Sequence, residues 1–518
     1  VKKLSDILGD DRVIILLLII LGLFLKVLIF GLVTTEESQD PYWVMTVAKN
    51  LMSGKGYTMW GQPHEVAQPV FPFTLVLFSI FTGDLHLSAQ LISLILSLVS
   101  IPFIYLLWKK LGNREVAVMA SLLLMFNPFV WEFSVRAMMD MAFFCFLSAT
   151  LYFLYRSRED SRYLPLLFFF VMLGALTKQQ GYVVVPVVVL SMLFWKRKLF
   201  FRKGYNLNYD GIGRVMRNRY VMLSLLILII PMTVWFTRNY IELGSFIIPK
   251  YHEAKVASGY GPIGMAVFTS TYYTGIGPVF IITGLLGFLL TIRRWRTYLP
   301  FYLLFIFMSY LLMSFYETYP RYSIPLLIPA MGFTSILVCR ALDYLSVKEA
   351  RIRYGICAVI LASVLVYSAP LTYQNTSDHG TKYDAVKEAA AWLNGNSDSG
   401  DGLLAGDGEP TYGFYTIRDV VSYDAANYFA GDIISKNPQL SGQPEMAYVI
   451  FLAQYKIKYF VPYDSRMPWF YSATKVFADD FRERTYAFTG ANVTLTPVSR
   501  FEKSGQYVYL YNVTWEVV

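Results

Sequence analysis

Charged side chains are scarce in this chain, and those placed directly beside long apolar runs are the ones able to do chemistry. In EESQDPYWVMTVAKNLMSGKGY, Glu36 to Tyr57, an acidic group made of Glu36, Glu37 and Asp40 follows the first apolar run. Asp140 stands in VRAMMDMAFF at the head of another run, and Lys178, Arg238 and Arg321 mark the ends of three more. A carboxylate in a loop against apolar surface has its pKa raised by desolvation, which suits it to take a proton. Each residue also has a plainer use. Asp40 before Pro41 reads as a helix N-cap with proline at the first helical position. Lysine and arginine at the end of an apolar helix can simply snorkel toward water, and Lys26, inside the first run, is open to the same reading.

The elements that must position these residues are membrane helices. With 518 residues, 55% hydrophobic, 17% aromatic and only 16% charged, the composition excludes an ordinary soluble globule, in which about a quarter of residues are charged. Apolar runs long enough to cross a bilayer start near Val13, Leu87, Val116, Met138, Leu164, Tyr182, Tyr220, Ile276, Pro300, Ser323 and Tyr354, so about eleven spans are expected. Basic clusters fall on every second connection: Lys2-Lys3, Lys109-Lys110, Arg156 and Arg158, Lys196 to Arg219, Arg293 to Arg296, and Arg340 to Arg353. By the excess of lysine and arginine in inward loops these face the cytoplasm, and with them the N-terminus. The net charge of +9 therefore orients the chain in the membrane, and no nucleic-acid motif accompanies it.

The outward connections include a long loop at 34–86. Its segment Asp40 to Met52 carries Trp43, Val44, Val47, Ala48, Leu51 and Met52 at helical spacing, with Gly54 and Gly56 as a stop. It and the apolar run Phe71 to Phe81 are expected to lie on the outer membrane surface. Further outward pieces are the turn around Arg136, the tight turn Lys178 to Gly181, a loop from Arg238 to about Gly275, and the short Tyr316 to Tyr322. The composition changes at Thr372. Residues 372–518 are expected to form a soluble extracytoplasmic α/β domain, with a helix over Asp384 to Leu393 and strands at Tyr448 to Leu452, Ile457 to Val461 and Tyr507 to Tyr511. Three N-x-S/T sequons, at Asn375, Asn492 and Asn512, all fall in it. Cys145, Cys339 and Cys357 lie in or beside apolar segments, without the spacing of a zinc site or a disulfide framework.

The order of features resembles the GT-C glycosyltransferase superfamily, in particular the branch of the dolichyl-phosphate-mannose protein mannosyltransferases and the bacterial aminoarabinose transferases. The resemblance is carried by Asp40, Tyr42, Ala48, Leu51, Gly54, Gly56 and Tyr57 in the first outer loop. It continues through QPVFPF, VRAMMDMAFF, LTKQQG at Lys178, TRNYIELGSFIIP at Arg238 and ETYPRYSIPLLIPA at Arg321. It covers the membrane region 1–371, the C-terminal domain matching only as a variable outer domain. It implies an inverting enzyme of the plasma membrane that moves a sugar, mannose or another hexose, from a polyprenyl-phosphate donor to a hydroxyl of a protein, glycan or lipid. By this match Asp40 is the candidate base and Asp140 a second acidic residue, with Glu36, Glu37 and Glu317 as further acidic candidates. Lys178 and Arg321, and after them Arg238, are the expected partners of the donor phosphate. No metal is expected to be obligatory; His64-Glu65 and His252-Glu253 are the pairs that would hold a divalent ion. A catalytic subunit of oligosaccharyltransferase shares the Asp-Pro-aromatic loop, but no Trp-Trp-Asp-Tyr-Gly follows Thr372. A transporter would more typically carry internal repeats, and none is seen.

Overall fold

Helices stand wherever the hydropathy pattern calls for a span. The computed structural model describes residues 10–36, 40–59, 62–64, 67–197, 209–246, 265–314, 319–347, 349–405, 409–416, 420–422, 433–442, 444–461, 482–488 and 491–517. Helices occupy all eleven expected places, from Asp11–Phe30, Leu85–Leu111 and Arg114–Met125 to Trp295–Ser314, Ile324–Tyr344 and Ala350–His379. Among the described residues, six helical stretches are long and apolar enough to cross a membrane by length and composition, while Val70–Thr82, with 13 residues, is shorter. Local chemistry sets the starts: the side chains of Asp84, Asn113, Asn127 and Asn218 each accept a first-turn backbone N–H.

The chain divides into two compact units. The first contains Val1–Gly31 and Glu65–Thr376, and the second Leu32–His64 and Ser377–Val518. The second unit thus takes in the first half of the outer loop, which the sequence pattern groups with the membrane helices.

Two charged layers stand at opposite ends of the helical unit. At one end Lys109 and Arg114 pair with Asp11, Lys110 with Glu159 at 2.5 Å, and Arg353 with both Glu115 and Asp343 at 2.6 Å. The 20-residue helix Asp140–Glu159 begins at the other end, on the order of 30 Å away at 1.5 Å per residue. The helix Ile324–Tyr344 runs the same way, with Arg321 just before its start and Asp343 in its last turn. Asp140 and Arg321 therefore lie at the end opposite the basic girdle. The connection expected as a loop up to Gly275 is helical over Met265–Ile276, while residues 247–264 lie outside those described.

In the second unit β1 (Thr58–Met59) and β2 (Gln62–Pro63) pair antiparallel. A separate sheet is built of β3 (Gly402–Ala405), β4 (Val420–Ser422), β5 (Ile457–Val461), β6 (Arg484–Phe488), β7 (Ala491–Lys503) and β8 (Gln506–Val517), in the order β4-β3-β5-β8-β7-β6. β3 is parallel to both its neighbours, and the other pairs are antiparallel. The expected helix is present as Asp384–Asn396 and buries Ala385, Val386, Ala389, Ala390 and Leu393. Tyr448 to Leu452, expected as a strand, is instead inside the helix Pro444–Gln454. The five-residue apolar run cannot be told from a helix by its period. Pro444 as the first helical residue and Ala447 settle it in the longer frame, and Ala447, Val449, Phe451 and Leu452 join the core beside Ile457, Phe460 and Val513. The sequon residue Asn512 sits in β8 between β5 and β7, with its side-chain oxygen buried.

Candidate active site

In the helical unit, three residues that the sequence singles out are brought together. Asp140 is the first residue of its helix, and its carboxylate lies 2.6 Å from the Lys178 ammonium, with side-chain exposures of 3% and 13%. Lys178 is extended (φ −149°, ψ 142°) and leads into the tight helical turn Gln179–Val183. That turn folds so closely onto the preceding helix that a Cβ on Gly181 would meet the Gly174 carbonyl oxygen at 2.0 Å. Only glycine fits there.

Tyr322 is the shared wall. The Lys178 ammonium stands 5.0 Å from its ring centre and the Arg321 guanidinium 5.6 Å, with Tyr319 on Arg321 at 4.8 Å. Gln180 Nε2 donates to the Tyr322 carbonyl at 3.3 Å. Arg321 Nη1 reaches Met138 Sδ at 3.9 Å, two residues before Asp140. The approach to Asp140 is pinned in turn by Ser93, which donates to the Met138 carbonyl, and by Gln90, which donates to the Val135 carbonyl. Arg321 is only 6% exposed. Neither cation is a solvated helix end, as snorkelling would require. Two cations, a carboxylate and aromatic faces in a buried place can hold an anion with a hydroxylated body, because desolvated ionic hydrogen bonds are the strong ones.

Around this cluster lie residues that the sequence reading passed over. Glu132 and Arg136 form an ion pair at 2.9 Å, buried to 3% and 1% exposure. Their i, i+4 spacing in the turn WEFSVR was the available signal. Tyr322 was hidden as an ordinary aromatic next to Arg321. Arg238 lies over Trp235 at 5.3 Å, and the same helix packs Phe236 at 5.9 Å on Tyr182, in the turn that follows Lys178. Lys26 is 2% exposed and, among the described residues, has no hydrogen bond or ion pair. A snorkelling lysine would be exposed at its tip; this one is enclosed.

The second unit holds the acidic loop. Asp40 is exposed and is the first residue of the helix Asp40–Met52, so it lies in the first turn, where the helix dipole favours a negative charge. Gly54 and Gly56, at φ 73° and 77°, follow the end of that helix. Glu36 is fully buried, and its backbone N–H donates to the Tyr42 hydroxyl at 2.9 Å. Burial above all pushes the Tyr42 phenol well up, so it stays protonated. Burial also lowers Lys49, whose ammonium donates to the carbonyls of Phe414 and Thr416 at 2.7 and 2.9 Å.

Of the residues considered for a metal, His64 is buried edge-on to Trp43 at 6.2 Å and near Tyr57 at 6.4 Å. Glu65, His252 and Glu253 lie outside the described residues, as do Glu37 and Glu317. Among the described residues no three His, Cys, Asp or Glu side chains gather as a metal would need. His64 in its aromatic surroundings does not by itself make a site.

Comparison with known proteins agrees with this architecture. Residues 64–235, about a third of the chain, match the model of the family described as dolichyl-phosphate-mannose-protein mannosyltransferase. No curated protein matches by sequence. The fold is similar to that of ArnT from Cupriavidus metallidurans bound to undecaprenyl phosphate, at 13% identity and a TM-score of 0.58, over 97% of this chain and 98% of that one. It is equally similar to the apo oligosaccharyltransferase of Archaeoglobus fulgidus, at 14% identity and a TM-score of 0.59, over 86% of this chain and 69% of that one. The archaeal enzyme, AglB, is also matched in complex with an inhibitory peptide and a dolichol-phosphate (12% identity, TM-score 0.57, 86% and 69% covered). It is matched again in complex with Zn and sulfate (14% identity, TM-score 0.57, 86% and 67% covered). The chain is thus a mostly helical protein of the GT-C fold with a small C-terminal sheet domain, similar to the GT-C glycosyltransferases in both its family-model match and its architecture.

Proposed function

We propose that this chain is an integral membrane glycosyltransferase that moves a hexose from a polyprenyl-phosphate donor to a hydroxyl of a protein, glycan or lipid on the outer face of the plasma membrane, with inversion. The observation that carries the reading is the cluster of buried Asp140 and Arg321 with half-buried Lys178 and Tyr322, at the end of the bundle opposite the basic girdle. Two proteins of the same fold are seen with a polyprenyl phosphate, which supports that class of donor here. A likeness over nearly the whole of both chains favours an ArnT-like arrangement over an oligosaccharyltransferase.

In this reading the acceptor oxygen attacks the anomeric carbon, the bond from that carbon to the phosphate oxygen breaks, and the lipid phosphate departs with the electron pair. Lys178 and Arg321 take the charge that develops on the phosphate, Asp140 holds Lys178 in place, and Arg238 serves as an outer cation. Asp40 receives the acceptor proton. A divalent ion is not required by these residues; one would be sought at His64, with Glu65, His252 and Glu253. In the same reading the N-terminus is cytoplasmic and the C-terminal domain extracytoplasmic, which the alternation of lysine and arginine clusters supports.

Replacing Asp40 with asparagine tests the assignment. Asparagine suits a helix start about as well as aspartate but cannot take the proton. Transfer should fall about 100-fold or more with the protein folded and donor still bound. Transfer at the normal rate would remove Asp40 from the mechanism and turn attention to Glu36, Glu37 and Asp140.

A further inference from the structure

The segment that carries Asp40 is tied down at three places, and every tie comes from the C-terminal part of the second unit. Before Asp40, the backbone N–H groups of Thr34 and Thr35 both donate to the Gly380 carbonyl, at 2.8 and 2.7 Å. The Thr34 hydroxyl donates to Asp384 Oδ1 at 2.7 Å, and Ser504 holds the other oxygen of the same carboxylate at 2.8 Å. Just after Asp40, Tyr42 is fully buried between Tyr383, Phe414 and Tyr415, with ring centres 6.2, 5.8 and 5.8 Å away. Further along, Lys49 reaches the Phe414 and Thr416 carbonyls. The Tyr42 hydroxyl also accepts from the Glu36 N–H, six positions earlier in the chain and on the other side of Asp40.

We infer that the C-terminal domain is a positioning element for the acidic loop, with Tyr42 and Asp384 as the positioning residues that aim Asp40. The inference rests on the reading of Asp40 as the base. A general base must come within hydrogen-bond reach of its proton, and a displacement of about 1 Å can cost about 100-fold in rate. A helix of 13 residues on an otherwise polar loop would not hold such a tolerance by itself. The clamp supplies what the helix lacks: fixed backbone on one side of Asp40 and a caged ring on the other. Asp384 is well suited to the anchor, since its two oxygens tie Thr34 to Ser504, in the turn between β7 and β8.

Two measurements on the full-length protein test this. In the first, Tyr42→Phe keeps the ring and removes the hydroxyl, Asp384→Ala removes the anchor, and Asp384→Asn keeps an oxygen for Thr34 and gains an amide that Ser504 can accept. For Tyr42→Phe and Asp384→Ala, kcat should fall about 10-fold or more with donor KM within about twofold. Asp384→Asn should recover most of the kcat lost in Asp384→Ala. In the second, a nitroxide on Asp40→Cys should be immobile in the parent and mobile when Tyr42→Phe or Asp384→Ala is added. An unchanged kcat in both disrupted variants while Asp40→Asn is inactive, or an unchanged nitroxide spectrum, overturns the inference. If Asp40→Asn is itself active, the base assignment fails; the nitroxide then decides by itself whether the domain fixes the loop.

Discussion

The Asp140–Lys178 pair can be dissected by a double-mutant cycle. Lys178→Met leaves the Asp140 carboxylate, 3% exposed, without the cation 2.6 Å away. Removing one partner of a buried ion pair costs about 3–5 kcal/mol, because the remaining charge is uncompensated. Asp140→Asn is milder. Its amide oxygen still accepts from Lys178, which keeps the Tyr322 ring at 5.0 Å, so the loss is about 1–2 kcal/mol, a fraction of a charge-assisted hydrogen bond. In the double variant no buried charge is stranded, and it should be less destabilised than Lys178→Met alone. The expected coupling is at least about 1 kcal/mol, well outside the few tenths within which independent sites add. Unfolding of the purified protein in detergent, read by tryptophan fluorescence against denaturant, measures all four corners. Additivity would show that the two residues do not share their charge, and the anion site built on them would lose its foundation.

Other expectations follow from the same geometry. Arg321→Gln should weaken donor binding by about 10- to 100-fold, from the loss of about 1.5–3 kcal/mol of charge-assisted phosphate contact; equilibrium binding of a labelled polyprenyl phosphate reads it, and unchanged affinity would reduce Arg321 to a packing residue against Tyr319 and Tyr322. The two charged layers predict an impermeant thiol reagent to label Ser399→Cys but not Ser346→Cys in intact cells, and the reverse pattern would put every candidate residue on the wrong side of the membrane.

Much of the architecture was legible because membrane helices write themselves as apolar runs, and the runs at Leu164 and Tyr220 became the helices Leu164–Ala175 and Arg219–Leu243. Asp140, Lys178 and Arg321 were legible as charges at the ends of those runs. Their burial and their meeting through Tyr322 were not, since contacts between residues 38 and more positions apart depend on how helices pack. The clamp on the acidic loop was invisible for the same reason: Lys49 and Phe414 are 365 residues apart. The helix Pro444–Gln454 was missed because a window of five apolar residues fits either period.

Cleavage of a glycosyl–phosphate bond by this chain is the step on which the proposed function depends. Purified protein in liposomes, supplied with polyprenyl-phosphate hexose labelled in the sugar, gives the most direct measurement. Unlabelled polyprenyl phosphate should be released, with label appearing on a hydroxyl acceptor or, in its absence, slowly in free sugar. Donor that crosses the bilayer with its sugar–phosphate bond intact, and with no bond cleavage at any protein concentration, would contradict it and mark the chain as a transporter.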